Sequence, residues 1–238
     1  MNIDLVLEKM PKSPISESFK TLRTNLQFAT ANKEIKTIVL TSANPGDGKS
    51  SIASNLAISY AQLGKKVVLI DADMRKGVQN KIFGVEKKNG LSNYLSGVYL
   101  KPNTEDYDAD AQKKDTTIIN KTEIKNLFLI TAGNVPPNPS ELLTSPRMKK
   151  LIVTLKEKFD LIIIDAPPAN VVTDAVVLSK IVDTVLLVCA YKETRREALA
   201  KLKKQFESVN AKIAGVVLNK MKATKDSYYN YYYGEGKR

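Results

Sequence analysis

Hydrophobic residues in the central part of the chain form short, nearly continuous runs of four to seven residues. Such runs are rich in Val, Ile and Leu, as expected for strands that are covered on both faces of a parallel sheet. The predicted strands comprise residues 38–41, 67–70, 127–131, 161–164, 184–190 and 213–218. The pattern predicts a buried sheet whose strands are far apart in sequence.

Helical periodicity occupies several of the segments between these strands. Helices are predicted over residues 49–63, 146–158 and 195–209. Ser145 is expected to cap the second, and a capping box formed by Thr194 and Glu197 is expected to begin the third. A further helix is predicted to begin at Ser13-Pro14, because proline is favoured at the first helical position. The alternation of strands and helices predicts an α/β fold with a doubly wound, mostly parallel sheet.

Three segments are predicted to surround or interrupt this pattern. Residues 1–12 are expected to be extended and weakly determined, and residues 101–125 to form a long surface excursion with clustered acidic residues. The third segment, residues 220–238, is expected to be a flexible, tyrosine-rich tail. The chain therefore divides into an N-terminal extension with a helix (1–36), an α/β domain (37–219) and a flexible C-terminal tail (220–238).

A phosphate-binding loop is predicted directly after the first strand, where the chain reads TSANPGDGKSS at residues 41–51. Gly46 and Gly48 allow backbone N–H groups to turn towards phosphates, Lys49 can reach the β and γ oxygens, and the Ser50 hydroxyl can ligate Mg²⁺. The first glycine usual in such loops is replaced by Ala43. The residues expected to bind a nucleotide are Gly46, Asp47, Gly48, Lys49, Ser50, Ser51 and Arg75.

Carboxylates follow two of the predicted strands. Asp71 and Asp73 come after the second strand and Asp165 after the fourth. Because the carboxyl ends of parallel strands surround the ligand in such sheets, we expect these side chains near the phosphate loop. Ser50, Asp71 and Asp165 are the expected Mg²⁺ ligands, and Lys49, Asp71, Asp73 and Asp165 the expected catalytic residues. These are the groups that phosphoryl transfer requires.

Composition excludes several other chemistries. The chain has no histidine, which removes Ser-His-Asp and Cys-His nucleophile systems and most zinc sites. Its net charge of +12 favours an acidic partner. The densest basic stretch, residues 195–204, lacks interleaved aromatic residues, so a solvated helix face is favoured and no nucleic acid is predicted. The N-terminal residues lack the apolar segment of a signal peptide, and no run reaches the ~20 residues of a membrane span.

The C-terminus concentrates five of the ten tyrosines in six residues: Tyr228, Tyr229, Tyr231, Tyr232 and Tyr233. A strand would turn these side chains alternately to two faces, and the residues that follow offer neither face a partner. Each phenol could accept a phosphate, which adds about −1.5 to −2 charges at neutral pH. The cluster therefore predicts a substrate of phosphoryl transfer, with a functionless aromatic terminus as the alternative.

The chain resembles the bacterial tyrosine kinases in three motifs and their order, and in its C-terminal tyrosine cluster. The motifs are the phosphate loop, the Asp71-x-Asp73 pair and the strand that ends at Asp165. Further similarities lie in residues 17–25, 136–143 and 218–220. The resemblance implies a P-loop NTPase fold in which Lys49 and Ser50 belong to the Walker A motif, Asp71 and Asp73 to the A′ motif and Asp165 to the Walker B motif. It implies an autokinase that uses ATP and Mg²⁺, with Asn219 added to the residues that bind ATP. It also implies that Asp71 orients or deprotonates the incoming phenol.

The resemblance also implies partners and a location. Members phosphorylate their tyrosine tails in trans within a ring-like homo-oligomer such as an octamer, with Glu17, Lys20 and Arg23 at the contact. The family usually has arginine where this chain has Lys20. A membrane-anchored activator that binds through its cytoplasmic tail, and a cognate tyrosine phosphatase, are implied partners. The implied role is regulation of capsule or exopolysaccharide polymerisation and export, in the cytoplasm at the inner face of the cell membrane.

Two alternatives share the fold. A partition- or positioning-type ATPase would carry a second, signature lysine early in the phosphate loop, where this chain has Asn44 and Pro45. Such an ATPase also has no need of a tyrosine-rich terminus. A non-catalytic nucleotide sensor on a polysaccharide assembly complex is the other alternative, and the intact Lys49 and Asp165 favour catalysis over it.

Overall fold

A seven-stranded sheet forms the centre of the computed structural model, which describes residues 5–29, 34–87, 89–98 and 118–221. In chain order the strands are β1 (Thr37–Ser42), β2 (Val67–Asp71), β3 (Asn120–Lys121), β4 (Leu127–Ile130), β5 (Leu161–Asp165), β6 (Thr184–Ala190) and β7 (Ile213–Asn219). They are arranged in the order β3-β4-β2-β5-β1-β6-β7. β3 pairs antiparallel with β4 and all other pairs are parallel. The predicted α/β class and mostly parallel sheet are confirmed.

Helices cover the sheet on both sides. They are α1 (Val6–Lys9), α2 (Pro14–Phe28), α3 (Lys49–Ala61), α4 (Gln79–Ile82), α5 (Leu91–Ser96), α6 (Pro139–Thr144), α7 (Pro146–Lys158), α8 (Asp174–Leu178) and α9 (Arg196–Glu207). The four predicted helices correspond to α2, α3, α7 and α9. Ser13 caps α2 and Ser145 caps α7, each by accepting a hydrogen bond from the backbone N–H three residues later. No helix in the described ranges is long and apolar enough to cross a membrane.

The core has two layers because successive strand residues point to opposite faces of the sheet. Ile38 packs with α1, α2 and α3 on one face, whereas Val39 packs with α5 to α9 on the other. Every residue of β1, β2, β5 and β6 is buried, which accounts for their continuous apolar sequences. Full burial of one such Ile or Leu side chain contributes about 1.5–3 kcal/mol to folding.

The prediction of an extended segment over residues 1–12 is wrong for Val6–Lys9, which form α1. Leu7 is buried, its N–H donates to Asn55 Oδ1 at 3.3 Å, and its carbonyl accepts from Gln62 Nε2 at 3.2 Å. These contacts come from α3 and the turn that follows it. Four residues are too few for a periodic pattern, so tertiary contacts determine this helix.

The predicted capping box of α9 is also wrong. The helix begins at Arg196, and no side chain at its N-cap position accepts a backbone hydrogen bond. The Thr194 hydroxyl instead accepts from the N–H of Ala190 at 2.8 Å and donates to Asp47 Oδ1 at 2.8 Å. A threonine hydroxyl at a strand–helix junction can bond to either element, and here it joins the end of β6 to the phosphate loop.

The predicted surface excursion at residues 101–125 is only partly described. Asn120–Lys121 within it form β3, which extends the sheet at one edge. Residues 99–117 lie outside the described residues, as do residues 222–238 with all five clustered tyrosines. The predictions for those two segments therefore remain predictions.

Candidate active site

The predicted phosphate loop connects β1 to α3. Gly46 and Gly48 have φ angles of +85° and +94°, a left-handed conformation that glycine adopts without steric cost. No side chain caps the N-terminus of α3, which begins at Lys49, with Ser50 and Ser51 in its first turn. Uncapped N–H groups at a helix start, together with the helix dipole, favour a bound anion. The loop therefore has the backbone of a phosphate site.

Asp47 holds this loop to the end of the sheet. Its Oδ2 accepts from the N–H of Asn44 at 2.9 Å, and its Oδ1 accepts from the Thr194 hydroxyl. Its carbonyl accepts from Asn219 Nδ2 at 3.0 Å, at the end of β7. A Cβ on Gly48 would lie 2.0 Å from that same Nδ2 atom. The left-handed backbone angle thus favours glycine at position 48, and a Cβ there would also displace the Asn219 amide from its hydrogen bond to Asp47.

The three predicted carboxylates converge on Lys49. Its Nζ lies 3.3 Å from Asp165 Oδ1 and 3.5 Å from Asp73 Oδ2, and it donates to Ser50 Oγ at 3.1 Å. Asp71 is the register partner of Asp165 on the adjacent strand. The parallel strands β2 and β5 thus bring together side chains that are 94 positions apart in the sequence.

The cluster has more negative than positive charge. Burial and the nearby charge of Asp165 raise the pKa of Asp71 to about 7, although the N–H of Gln79 and the charge of Lys49 oppose this rise. Burial by itself would lower the pKa of Lys49, but the charges of Asp165, Asp73 and Asp71 outweigh it and raise that pKa. Lys49 is therefore an ammonium group that leaves part of the carboxylate charge unbalanced.

The donor set fits Mg²⁺. The Ser50 hydroxyl and the carboxylates of Asp71 and Asp165 are oxygen ligands, which this ion prefers, and a divalent cation would balance the excess negative charge. In the part of the chain that the structure describes, no group of three or more His, Cys, Asp or Glu side chains could hold a metal ion. Mg²⁺ needs no such cage, since it is usually bound through one or two carboxylates, substrate phosphates and water.

Gln79, which no sequence pattern identified, connects the carboxylates. Its N–H donates to Asp71 Oδ2 at 3.0 Å, its Nε2 donates to Asp165 Oδ2 at 2.8 Å, and its Oε1 accepts from Ser54 Oγ at 2.7 Å. The side chain is fully buried. Gly77 makes room for this arrangement, because a Cβ there would lie 2.6 Å from Asp71 Oδ2. The one available sequence indication was this glycine shortly after the Asp71-x-Asp73 pair.

Arg75, predicted to bind ATP, pairs with Asp174 on α8. Its Nη2 donates to Ser140 Oγ at 3.4 Å, and Ser140 Oγ donates to Asp174 Oδ1 at 2.6 Å. Asp174 is fully buried, and Arg75 and Ser140 satisfy its carboxylate oxygens. Arg75 thus anchors the segment after β2 to α6 and α8.

The three residues predicted at an oligomer contact lie on α2 but differ in their partners. Glu17 and Lys20 form an ion pair of 2.6 Å with side chains about 40% exposed. Arg23 Nη1 donates to the carbonyl of Ser59 on α3 at 2.5 Å, and its carbonyl accepts from the Tyr60 hydroxyl at 3.5 Å. Arg23 is therefore bonded to α3 of this chain, whereas Glu17 and Lys20 pair with each other and remain partly exposed.

Comparison with known proteins shows which family this chain resembles in sequence. A family model described as an AAA domain matches residues 35–220. The putative tyrosine-protein kinase CapB of Staphylococcus aureus is 39% identical over 97% of this chain and 95% of its own length. The tyrosine-protein kinase YwqD of Bacillus subtilis is 38% identical over 98% of this chain and 92% of its own. The longer putative tyrosine-protein kinase EpsB of Ralstonia nicotianae is 36% identical over 97% of this chain, which covers 28% of EpsB.

Solved structures agree with these relatives. The chimerical protein CapA2B2 has a TM-score of 0.82 and 40% identity, covering 92% of this chain and 90% of its own. The kinase domain of the Escherichia coli tyrosine kinase ETK has a TM-score of 0.81 and 34% identity, covering 94% and 83%. The cell division ATPase MinD of Pyrococcus furiosus, at a TM-score of 0.62 and 24% identity over 80% and 74%, shares the P-loop fold.

Proposed function

We infer the biochemical role of this chain from two facts: it belongs to the family of bacterial tyrosine kinases, and its phosphate loop lies beside a buried carboxylate cluster. The chain is a protein-tyrosine kinase, which converts ATP and a protein tyrosine to ADP and phosphotyrosine. The observation that carries the assignment of the site is the convergence of Asp165 and Asp73 on Lys49 at the N-terminus of α3.

The proposed site uses these groups in distinct roles. Lys49 and the N–H groups of the loop bind the phosphates of ATP, and Ser50, Asp71 and Asp165 hold Mg²⁺. When bound, Mg²⁺ supplies positive charge to the phosphate oxygens at which negative charge develops. Gln79 fixes the carboxylates of Asp71 and Asp165 through its two hydrogen bonds.

Asp71 orients the incoming phenol and accepts its proton. A free tyrosine has a pKa of ~10, so at neutral pH the hydroxyl retains its proton and benefits from a nearby base. Burial and the charge of Asp165 raise the pKa of Asp71, which favours proton acceptance, whereas Mg²⁺ held beside it would oppose this rise. Asp73, which contacts Lys49 at 3.5 Å, keeps the lysine beside the phosphates.

The proposed substrate is the chain's own tyrosine cluster, modified in trans between subunits of a ring-like homo-oligomer. Tyr228 lies nine residues beyond Asn219 and Tyr233 fourteen, so an extended tail could reach about 30–50 Å. The proposed division of the chain has an N-terminal extension with an oligomerisation helix (1–36), a kinase domain (37–219) and a tyrosine-rich tail (220–238). Glu17 and Lys20 on the outer face of α2 support its role as a contact between subunits.

The proposed cellular role is regulation of capsule or exopolysaccharide polymerisation and export. A membrane-anchored activator would bind the kinase through a cytoplasmic tail and hold it at the inner face of the membrane, and a tyrosine phosphatase would reverse its modification. The similarity to the chimerical protein CapA2B2 supports a two-component arrangement. The match covers 28% of EpsB, so a region similar to this chain also occurs within a longer kinase chain.

The test is to incubate the full chain with Mg-ATP, with and without the activator's cytoplasmic tail, and to map modified residues by mass spectrometry. We expect phosphate on Tyr228, Tyr229, Tyr231, Tyr232 and Tyr233. Lys49→Met should abolish this modification, because it removes the cation that binds the phosphates. Lys156→Met is the matched control, because Lys156 pairs with Asp183 at the opposite edge of the sheet and should be dispensable for phosphorylation.

Other outcomes would replace the proposal. Release of phosphate from ATP with unmodified tyrosines would indicate a positioning-type ATPase. Neither product, even with the activator tail present, would indicate a nucleotide sensor. Phosphotyrosine that persists in the Lys49→Met variant would show that the site is assigned to the wrong residues.

A further inference from the structure

A groove between α9 and β7 lies outside the proposed active site. It has a volume of about 550 Å³, and its floor is apolar, with Leu199, Ala211, Ile213 and Val216 among its lining residues. Arg196 and Lys203 of α9 add positive charge to the lining, and the one acidic group is Glu207. The volume is within the range of ligand-binding pockets. The groove therefore combines an apolar surface with cationic side chains.

The floor of the groove continues into an unpaired sheet edge. β7 is the last strand of the sheet and pairs only with β6 within the described residues. Val216 and Leu218 are 50% and 46% exposed, although β6 beside them is buried throughout. Exposed apolar edge strands are normally covered, since their free backbone groups template pairing with another segment. The edge is thus suited to binding an extended segment.

Further basic residues lie on the adjacent surface of α9. Lys201 and Lys204 line a second depression on this helix beside Glu197. Lys203 forms an ion pair of 3.3 Å with Glu207, but both side chains are more than half exposed. Such a pair contributes little, so Lys203 is available to a more strongly charged ligand. The surface selects an anionic ligand that also carries apolar groups.

We propose that this groove binds the chain's own tail, residues 222–238, after its tyrosines have been phosphorylated. Between Lys220 and Arg238 the unmodified chain has five basic and two acidic residues, a net charge of +3 that α9 would repel. Five phosphates would change this to roughly −4.5 to −7. Phosphotyrosine supplies both a ring for the apolar floor and phosphate oxygens for Arg196 and Lys203.

The length of the tail fits this occupant. β7 ends at Asn219 and spans seven residues, about 23 Å, whereas the twelve residues from 222 to 233 span up to about 40 Å when extended. The tail can therefore reverse direction after β7 and place the tyrosine cluster along the same strand. The proposal rests on the proposed function, because autophosphorylation must supply the modified tail.

A synthetic peptide of residues 222–238 makes the test independent of kinase activity. Fluorescence anisotropy would measure binding of the labelled peptide, phosphorylated on all five tyrosines, to the full-length Lys49→Met chain, whose own tail stays unmodified. We expect saturable binding that is at least about tenfold tighter than that of the unphosphorylated peptide. The double substitution Arg196→Ala with Lys203→Ala should weaken binding about tenfold. Val216→Ser should also weaken it, because that residue contributes to the apolar floor.

The matched control is the double substitution Lys149→Ala with Lys150→Ala, which removes two exposed charges from α7 instead. Equal loss of binding in both double variants would mean non-specific attraction and would overturn the proposal. Equal affinity for the unphosphorylated peptide would overturn it too. If only vesicles rich in phosphatidylserine bound, and did so through Arg196 and Lys203, the groove would be a lipid site instead. Failure of autophosphorylation in Mg-ATP would contradict the proposed function without affecting the peptide result.

Discussion

Aspartates have opposite environments at the two ends of the parallel strands, called here the carboxyl edge and the amino edge of the sheet. At the carboxyl edge, Asp71, Asp73 and Asp165 surround the single ammonium group of Lys49. At the amino edge, the single carboxylate of Asp183 accepts four hydrogen bonds. Its Oδ2 accepts from the N–H of Lys36 at 2.9 Å and from the N–H and hydroxyl of Thr37 at 2.8 Å each, and its Oδ1 accepts from Lys156 Nζ at 3.0 Å.

The pKa values differ accordingly. Burial raises the pKa of Asp71, and the neighbouring charge of Asp165 adds to the rise. Burial would also raise the pKa of Asp183, but hydrogen bonds from Lys156, Thr37 and the Lys36 backbone outweigh it and lower that pKa. The amino edge thus gains stability from its aspartate, whereas the carboxyl edge retains charge that a ligand can neutralise. The difference separates the structural carboxylate of Asp183 from the proposed catalytic carboxylate of Asp71.

Asp71→Asn should give the largest effect and tests the carboxyl edge. We expect kinase activity to fall by about 10²–10⁴-fold, because the variant lacks the proton acceptor. The thermal unfolding midpoint should stay within about 4 °C, since loss of one accepted hydrogen bond opposes relief of the repulsion from Asp165. Activity would be measured as phosphotyrosine formed per unit time.

Asp183→Asn is the control for that substitution at the other edge. An amide oxygen in place of Oδ2 can still accept from Lys36 and Thr37, so activity should be retained. Equal loss of activity in both variants would remove the distinction between the two edges.

Asp183→Ala should give the next largest effect, on stability alone. Three donors at the start of β1 would lose their acceptor, which costs about 1–3 kcal/mol of unfolding free energy. Chemical denaturation would measure this loss, and the activity of the remaining folded protein should be unchanged. An unaltered denaturation midpoint would show that water replaces Asp183 without cost.

The smallest effect concerns acid stability. Because the folded pKa of Asp183 is below its unfolded value of ~3.9, its contribution is complete above that pH and is lost as pH falls through the folded pKa. The Asp183→Asn variant should be less stable than the unsubstituted chain at pH 6. This difference in unfolding free energy should shrink as the pH is lowered to about 3. Denaturation midpoints across this range provide the measurement, and a difference that does not depend on pH would contradict the assignment.

Sequence reasoning was most successful where the pattern is local. The buried strands follow from continuous apolar runs, and the loop before Lys49 follows from two closely spaced glycines; both signals are visible in a short stretch of sequence. The short helix at Val6–Lys9 and the two-residue strand at Asn120–Lys121 depend on contacts with distant segments. Elements of two to four residues give no period to recognise, which is why they were not predicted.

The same distinction applies to the site. The carboxylates were predictable because each lies at or just beyond the carboxyl end of a strand, and parallel strands end at one edge of the sheet. Gln79 was not, because its partners on β2 and β5 are known only once the strands are in register. Thr194 was assigned to the wrong partner for the same reason, since its hydrogen bond to Asp47 crosses 147 positions of the chain.

Asp47 also connects the phosphate loop to both walls of the groove beside α9. Its side chain bonds to Thr194, just before α9, and its carbonyl to Asn219, at the end of β7. Any ligand that shifts α9 relative to β7 therefore acts on the backbone that cradles the nucleotide. Thermodynamic reciprocity then requires that ATP alter the affinity of the groove by the same factor as the groove's ligand alters the affinity for ATP. Asp47 thus couples the affinity of the phosphate loop for ATP to the occupancy of the groove between α9 and β7.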